Sequence, residues 1–383
     1  YDIESVPGDI PGRVGKYTFP TPWKDPVCTI GATLQIGQDV SQYVWILNGP
    51  NGCADRRSVD TLTALDDPPD EYRPEETTVY PFDSELELLD HFFKFIVIQD
   101  IDFIEGHNIN RFDNTYVLDR YSKLKNVASM LGKTDDELRN ERPDETKPYL
   151  GRMKCCRSEI KRQTFSSNQK GAHEKFKLLL PGRVVLDSYD IMKDQHNESS
   201  YKLDNLAEKY LGTKKIEQDY NEIPPMFRNK RGRHDLAVYC VKDSWLVRKM
   251  MDKLCKLTVL LQMSNVTGIS MKDVIERGQG IRTMGLMLRY CGKRSPEYFV
   301  PRVIRDEKKV TLQVLDKKRK IQQIEADAEP ETYEGAAVID PIKGFYKDAV
   351  SCLDFASLYP SIMRALNMSY ETMVTKDTVD QME

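Results

Sequence analysis

The sequence has few of the residues that build zinc sites. Its five histidines are scattered, and its eight cysteines include no Cys-x-x-Cys pair, so neither a zinc ribbon nor a histidine-based metal site is expected. Cys155 and Cys156 are adjacent, which is poor geometry for zinc and for a disulfide between them. We therefore expect all the thiols to be reduced, as in an intracellular protein.

Long apolar runs and an excess of positive charge are also lacking. No run reaches the ~18 apolar residues of a transmembrane helix, and no signal peptide opens the chain, so no membrane partner is expected. The net charge of −4 gives no general attraction to nucleic acid, and DNA binding would need local basic clusters. The chain starts at Tyr1 within a strand-like run, which favours a segment of a longer protein.

What is present is an alternation of strand-like and helix-like segments in a chain long enough for two or three domains. Strands are predicted near residues 1–6, 27–36, 43–47, 102–106 and 184–187. Helices are predicted near 84–98, 113–124, 201–212, 233–263 and 270–291, the last interrupted at 278–280. This order predicts an α/β domain at residues 1–300, with a mixed sheet flanked by helices.

Two charged regions interrupt that alternation. Residues 126–178 are predicted to be an irregular insertion, either solvated or forming a basic patch that tracks a phosphate backbone, with candidates Lys154, Arg157, Lys161, Arg162 and Lys170. Residues 301–332 are predicted to be a charged linker or insertion. A second unit would begin near residue 333, with a strand at 350–354 and a helix at 357–366.

Acidic residues stand at the edges of several predicted elements. Asp2 and Glu4 alternate on one strand and leave the same face, where two carboxylates repel each other unless a cation such as Mg²⁺ or Mn²⁺ binds. Asp113 starts a helix, and Tyr239 and Asp243 lie four residues apart on another helix. Singly, these are also typical of a solvated strand edge, a helix-start charge and an amphipathic face. Together they fit two metal ions roughly 3.5–4 Å apart, with a tyrosine to orient the attacking water.

The sequence around these residues resembles the 3′–5′ exonuclease domain of family B DNA polymerases, which is ribonuclease H-like. The resemblance is carried by residues 2–4 (DIE), 106–116 (GHNINRFDNTY) and 239–243 (YCVKD). Residues 182–187 and 201–212 are also similar to stretches of that family. Among its members, the pattern most resembles the delta-type enzymes and those of large DNA viruses.

The resemblance continues beyond the nuclease. Residues 333–336 (YEGA) are similar to the short motif between the exonuclease and polymerase domains, and residues 354–362 (DFASLYPSI) to the first polymerase motif. Residues 333–383 would then be the beginning of a polymerase palm. The later polymerase motifs are not in these 383 residues, so this segment is expected to act only as a nuclease.

The resemblance implies a role for each matching residue. Metal ligands and catalytic residues would be Asp2, Glu4, Asp113, Asp243 and, for the polymerase site, Asp354, with Tyr239 orienting water. DNA contacts would come from Asn108, Phe112, Tyr333 and Gly335, and nucleotide contacts from Ser357, Leu358 and Tyr359. The implied cofactors are Mg²⁺ or Mn²⁺, two ions per active site.

The implied partners are primer–template DNA and single-stranded 3′ ends. For the full-length enzyme they also include dNTP and a sliding clamp, and the implied location is the nucleus or a viral replication site.

The sequence departs from the family pattern at His107, where tyrosine is more usual, and at Asn114-Thr115, where a proline is common. Two other functions stay open, namely a stand-alone 3′–5′ exonuclease and a non-catalytic DNA-binding relic.

Overall fold

The computed structural model describes residues 1–8, 16–50, 56, 59–63, 72–129, 147–167, 171–216, 218–293, 309–315, 321–327, 339–369 and 372. The chain divides into two compact units, Tyr1–Pro301 and Arg302–Glu383. None of the helices in the described part combines the length and apolar character needed to span a bilayer.

The first unit is built on a four-stranded mixed sheet in chain order. Its strands are β1 (Asp2–Ser5), β2 (Val27–Ile36), β3 (Asp39–Leu47) and β4 (Thr78–Phe82). The first three form an antiparallel meander, and β4 pairs parallel to β3. The predicted α/β class, with a mixed sheet flanked by helices, is confirmed.

A two-stranded parallel sheet lies beside β1. It pairs β5 (Phe103–Gly106) with β8 (Val184–Asp187), so that Gly106 is opposite Asp187. The Tyr1 nitrogen donates a hydrogen bond to the Glu105 carbonyl oxygen at 2.6 Å. This bond places the first residues of the chain against β5.

Side-chain alternation on β3 divides the core into two layers. Trp45 packs with helix α1 (Glu85–Ile98), with its ring centroid 5.1 Å from that of Phe92. Val44 and Ile46 point to the opposite face and join the core of helix α6 (Lys230–Lys253). A strand has a side-chain period of two, so a sheet covered on both faces buries both sets.

The first unit contains seven further α-helices in its described residues. They are α2 (Asp113–Ser129), α3 (Ser188–Gln195), α4 (Leu203–Leu211), α5 (Ile223–Phe227), α7 (Lys256–Thr267), α8 (Met271–Glu276) and α9 (Gln279–Lys293). The single helix predicted over 233–263 is wrong, because the chain breaks after Lys253 and Cys255 takes a left-handed conformation with φ 49°. Ser84 precedes α1, but its side chain makes no capping hydrogen bond.

The irregular structure predicted for the two charged regions is corrected in part. β6 (Glu159–Ser167) and β7 (Gly171–Leu179) form an antiparallel hairpin within residues 126–178. Leu178 is buried and Ile160 packs against the same core, so the hairpin contributes to the first unit. Its many charged residues hide the alternation that marks a strand.

The second unit contains an antiparallel hairpin and one helix in its described residues. The hairpin pairs β9 (Lys309–Leu315) with β10 (Ile321–Asp327), within the predicted linker. Helix α10 (Leu358–Ala365) follows Ser357, close to the prediction. The strand predicted over 350–354 is wrong, because these residues pair with no other strand in the described chain.

Candidate active site

β1 carries two acids on one face and core residues on the other. Ile3 and Ser5 are buried, whereas Asp2 and Glu4 are only partly buried. Strand β1 pairs antiparallel with β2, with Asp2 opposite Gly31. The predicted side-by-side placement of the two carboxylates therefore follows from the pleat.

Asp113 lies against β1 at the start of α2. Its side chain is only 4% exposed, and its Oδ1 accepts a hydrogen bond of 3.2 Å from the Ile3 backbone N–H. The next residue, Asn114, accepts a 2.8 Å hydrogen bond from the Tyr1 hydroxyl. These two bonds hold the beginning of α2 beside the strand that carries Asp2 and Glu4.

Asp243 and Tyr239 reach the same region from α6. Both side chains are buried, with 1% and 6% exposed. The helix lies unusually close to β2, since a Cβ atom on Gly31 would be 2.5 Å from the Cys240 carbonyl carbon. The Gly31 N–H donates to the Cys240 thiol at 3.1 Å, and that thiol donates to the Asp2 carbonyl oxygen at 3.3 Å. A glycine at position 31 is what allows this approach.

The four acids, called the acid cluster below, lie close enough to affect one another electrostatically. Removal from water raises the pKa of Asp113 and of Glu4 well above the ordinary values, and the Asp2 charge adds to both shifts. Burial also raises the pKa of Asp2 and of Asp243. Because the Asp2 charge makes ionisation of Glu4, Asp113 and Asp243 less favourable, nearby positive charge favours the ionised form of these acids.

Lys215 supplies positive charge that the sequence did not predict. Its ammonium forms an ion pair with Asp243 and lies 4.7 Å from the centroid of the Tyr239 ring. Burial opposes its charge, but Asp243, Asp2 and Glu4 together raise its pKa above the ordinary value. In the sequence, Lys214 and Lys215 come soon after a helix-ending glycine and look like an ordinary exposed pair of lysines. For this reason Lys215 was not predicted as a site residue.

Tyr239 is held as a neutral phenol. Burial and the charges of Glu4, Asp243 and Asp2 raise the pKa of its hydroxyl far above the ordinary value. A protonated phenol can donate one hydrogen bond and accept another. Its position four residues before Asp243 puts both groups on the face of α6 that meets β1.

The chemistry of this cluster suits a hard divalent cation. The ligands available are carboxylate oxygens. Of the two buried Asp243 oxygens, Oδ2 pairs with Lys215, and Oδ1 has no hydrogen bond from any described residue. As arranged, no group of three or more His, Cys, Asp or Glu side chains in the described chain encloses a metal position. The donor set therefore fits Mg²⁺ or Mn²⁺, and binding would require the side chains to turn toward a shared point.

The loop before Asp113 carries the two residues expected to contact single-stranded DNA. Asn108 has a left-handed backbone, with φ 60°. Phe112 packs edge-on against Phe19, whose side chain is 71% exposed, with ring centroids 5.8 Å apart. Phe19 was not predicted as a site residue, although an aromatic residue next to Pro20 in a loop is a usable signal.

The residues predicted for the polymerase site belong to the second unit. Tyr333 and Gly335 lie outside the described residues. Asp354 and Ser357 are exposed, and the side chains of Leu358 and Tyr359 are 42% and 74% exposed. Ser357 takes a left-handed conformation with φ 52° at the start of α10. These residues are close in sequence, and the structure assembles no site around them within the described part of that unit.

Comparison with protein families agrees with the α/β fold. A model described as "DNA polymerase family B, exonuclease domain" matches residues 9–206, and one described as "DNA polymerase family B" matches residues 269–383. The chain belongs to DNA polymerase family B. The matched ranges contain Asp113 and Asp354.

Individual relatives narrow the comparison to one kind of family member. The chain is 31% identical to the DNA polymerase delta catalytic subunit of Schizosaccharomyces pombe over 99% of its own length and 29% of the relative. It is 30% identical to the subunit of that name from Glycine max, over 98% of the chain and 28% of the relative. The Caenorhabditis elegans subunit is 32% identical, over 97% and 29%. The chain thus spans less than a third of the length of these relatives.

Proposed function

We propose that this chain is the 3′–5′ exonuclease region and the beginning of the palm of a replicative family B DNA polymerase. Its first unit would remove nucleotides from single-stranded or frayed 3′ ends. Residues 1–300 would form the exonuclease domain, 301–332 a charged insertion and 333–383 the start of the palm. Membership of the family supports the reaction class, and the relatives, all named as delta catalytic subunits, support the replicative assignment.

The observation that carries the proposal is the convergence of acids from three elements. β1 brings Asp2 and Glu4, α2 brings Asp113, and α6 brings Asp243 with Tyr239. These residues influence one another's pKa across a buried region. An ordinary solvated acid would show neither the burial nor this mutual effect.

Each of these residues has a part in hydrolysis. Asp2, Glu4, Asp113 and Asp243 would hold two Mg²⁺ or Mn²⁺ ions, which polarise the phosphate and the attacking water when bound. The Tyr239 hydroxyl would form a hydrogen bond with the attacking water, as donor or acceptor, and so orient that water. Lys215 would balance the charge of Asp243 and offer an ammonium to the anionic substrate.

The remaining predicted residues concern DNA and nucleotides. Phe112 and Asn108 would bind the unpaired 3′ end, with base stacking on an aromatic ring worth ~1–3 kcal/mol. In the full-length enzyme, Tyr333 and Gly335 would contact the template, Asp354 the polymerase metals, and Ser357, Leu358 and Tyr359 the dNTP. A sliding clamp and a nuclear or viral replication site are further expectations for that enzyme.

The test is Asp113→Ala, compared with the exposed-acid control Asp39→Ala. We expect Asp113→Ala to lower trimming of a labelled single strand in Mg²⁺ by roughly a thousandfold or more, because a position for the metal is lost. DNA binding, measured by fluorescence anisotropy, should be retained in both variants. The control should trim at the wild-type rate.

Two results would contradict the proposal. If Asp113→Ala trims at the wild-type rate, Asp113 is not part of the active site. Tight DNA binding with no trimming by the wild-type chain in Mg²⁺ or Mn²⁺ would indicate the DNA-binding relic instead.

A further inference from the structure

The end of β8 makes an unusual set of contacts with the loop that precedes Asp113. Asp187, the last residue of β8, uses both carboxylate oxygens. Its Oδ1 accepts from the Asn108 N–H at 2.9 Å and from the Tyr189 N–H at 3.0 Å. Its Oδ2 accepts from the Asn110 N–H at 3.0 Å. One buried side chain, only 3% exposed, therefore joins the 107–111 loop to the start of α3.

The residues after Asp187 add contacts to the same loop. Ser188 Oγ is 2.9 Å from His107 Nδ1, and Asp190 forms a 3.0 Å ion pair with Arg111. The other ring nitrogen of His107 is 3.0 Å from the Tyr201 carbonyl oxygen. Four of the five residues of the 107–111 loop are therefore held from the β8–α3 junction or from the residues just before α4.

The loop cannot hold this conformation by regular secondary structure. The Asn108 backbone is left-handed, which a residue other than glycine adopts at a cost. The N–H groups of Asn108 and Asn110 have no helix or sheet partner, and a buried N–H without an acceptor is unfavourable. Asp187 supplies both acceptors. Phe112 and Asp113 follow directly, so the position of the Asp113 carboxylate depends on where this loop is held.

We propose that Asp187 is a positioning residue for the exonuclease site, acting on Asp113 and Phe112 through the 107–111 loop. The inference rests on the proposed function. Within the described residues, the Asp187 side chain accepts its hydrogen bonds from backbone N–H groups and not from Asp2 or Asp113. The contacts need two acceptor oxygens on one short side chain. Aspartate supplies both oxygens with fewer rotatable bonds than glutamate.

A purely structural role must be separated from this one, because Asp187 also caps α3. In Asp187→Ser the hydroxyl can still cap the helix but is too short to hold Asn110. In Asp187→Asn one side-chain oxygen remains to accept from the N–H groups of Asn108 and Tyr189. The side-chain NH2 group then faces the Asn110 N–H, and neither of these two groups can accept a hydrogen bond. The matched control is Ser270→Ala, which removes the cap of α8, where Ser270 accepts from the Asp273 N–H.

Two measurements are made on all four proteins, the wild type and these three variants. One is hydrogen exchange of the peptide covering residues 107–113. The other is the rate of 3′ trimming at saturating single-stranded DNA. We expect both the protection of the loop from hydrogen exchange and the trimming rate to fall from wild type to Asp187→Asn to Asp187→Ser. Asp187→Ser should trim roughly tenfold to a hundredfold more slowly than wild type, as expected for a misplaced catalytic group. Ser270→Ala should lower the unfolding midpoint and leave both readouts unchanged.

The outcomes are distinguishable. If Asp187→Ser trims at the wild-type rate, or if Ser270→Ala slows trimming as much, the positioning role is wrong. If the loop loses no protection in Asp187→Ser, the inferred contact is wrong whatever the rates. If the wild-type chain does not trim at all, the proposed function fails, and the exchange data still decide whether Asp187 holds the loop.

Discussion

His107 and Asp187 show how neighbouring buried groups can oppose each other in their dependence on pH. Burial lowers the pKa of His107 from 6.5 to about 4, so the unfolded chain takes up its proton first. Burial, followed by the charge of Asp190, raises the pKa of Asp187 from 3.8 to about 6, despite its backbone hydrogen bonds. The folded chain therefore takes up that proton first.

The two shifts predict opposite slopes of stability. As pH falls from 6.5 to 4, His107 should remove roughly 3 kcal/mol of unfolding free energy, and as pH falls from 6 to 3.8, Asp187 should add about as much. Relative to wild type, His107→Gln should therefore gain stability on acidification, and Asp187→Asn should lose it. Urea unfolding at several pH values between 4 and 7.5 measures both. Parallel curves for wild type and either variant would contradict the assignment for that residue.

Lys215 is the residue whose loss should affect the acid cluster most directly. Lys215→Met leaves Asp243 buried beside Asp2 without its counter-charge, so we expect a loss of about 2 kcal/mol in unfolding free energy in EDTA. The control Lys214→Met removes a 65% exposed side chain paired with a 54% exposed Glu208 and should change stability by about 0.5 kcal/mol or less. Equal effects of the two variants would show that the Asp243 pair does not hold the cluster.

The sequence predicted the acids of the candidate site but not the residues that support them. Asp2, Glu4, Asp113, Asp243 and Tyr239 belong to short patterns with a definite chemistry, and those patterns can be read without a fold. Lys215 and Asp187 act through contacts with residues that are distant in sequence, at separations of 28 for Lys215 with Asp243 and 77 to 79 for the Asp187 bonds to the loop. No local pattern marks such contacts.

At the scale of elements, the contact between β2 and α6 sets the spacing of the candidate site. β2 pairs with the strand of Asp2 and Glu4, and α6 carries Asp243 and Tyr239. Gly31→Ala would place a methyl group against the Cys240 backbone. Neither backbone can move cheaply, so we expect a loss of about 2 kcal/mol in unfolding free energy and a roughly tenfold slower trimming rate.

The control for that change is Gly292→Ala in α9, where a Cβ atom would meet nothing within 4 Å. A helical glycine replaced by alanine should stabilise by about 0.5–1 kcal/mol. Urea unfolding and the trimming assay apply to both variants. If Gly31→Ala keeps wild-type stability and rate, the close approach of β2 and α6 does not determine the site.

Helices and strands whose apolar residues recur at a regular spacing could be predicted from the sequence, and strands rich in charged residues could not. β2 and α1 were predicted within a residue or two of their bounds because their apolar residues follow the strand and helix periods clearly. The β6–β7 and β9–β10 hairpins were missed because charged residues mask their alternation. The break after Lys253 was missed because no glycine or proline marks it, and Cys255 adopts a left-handed conformation instead.

At the scale of the whole molecule, the two units differ in what they contain. The first holds the acid cluster, in which Asp113 and Asp243 are buried, and the second has exposed residues at its predicted polymerase motif. We expect these 383 residues to trim 3′ ends without extending a primer, because Asp354 alone cannot hold the two metal ions of a polymerase site. Primer extension with all dNTPs checks this, with Asp354→Ala as the matched variant. Extension by the wild-type chain that Asp354→Ala abolishes would contradict it.

The thiol of Cys240 bonds to Asp2 across a separation of 238 residues, and that distance has a consequence for biosynthesis. Contacts between such remote parts of a chain form late, because closing so large a loop has a high entropic cost before any contact compensates it. During vectorial translation, a nascent chain that ends before α6 would hold only part of the acid cluster. The acid cluster would therefore be complete only once nearly the whole first unit has left the ribosome.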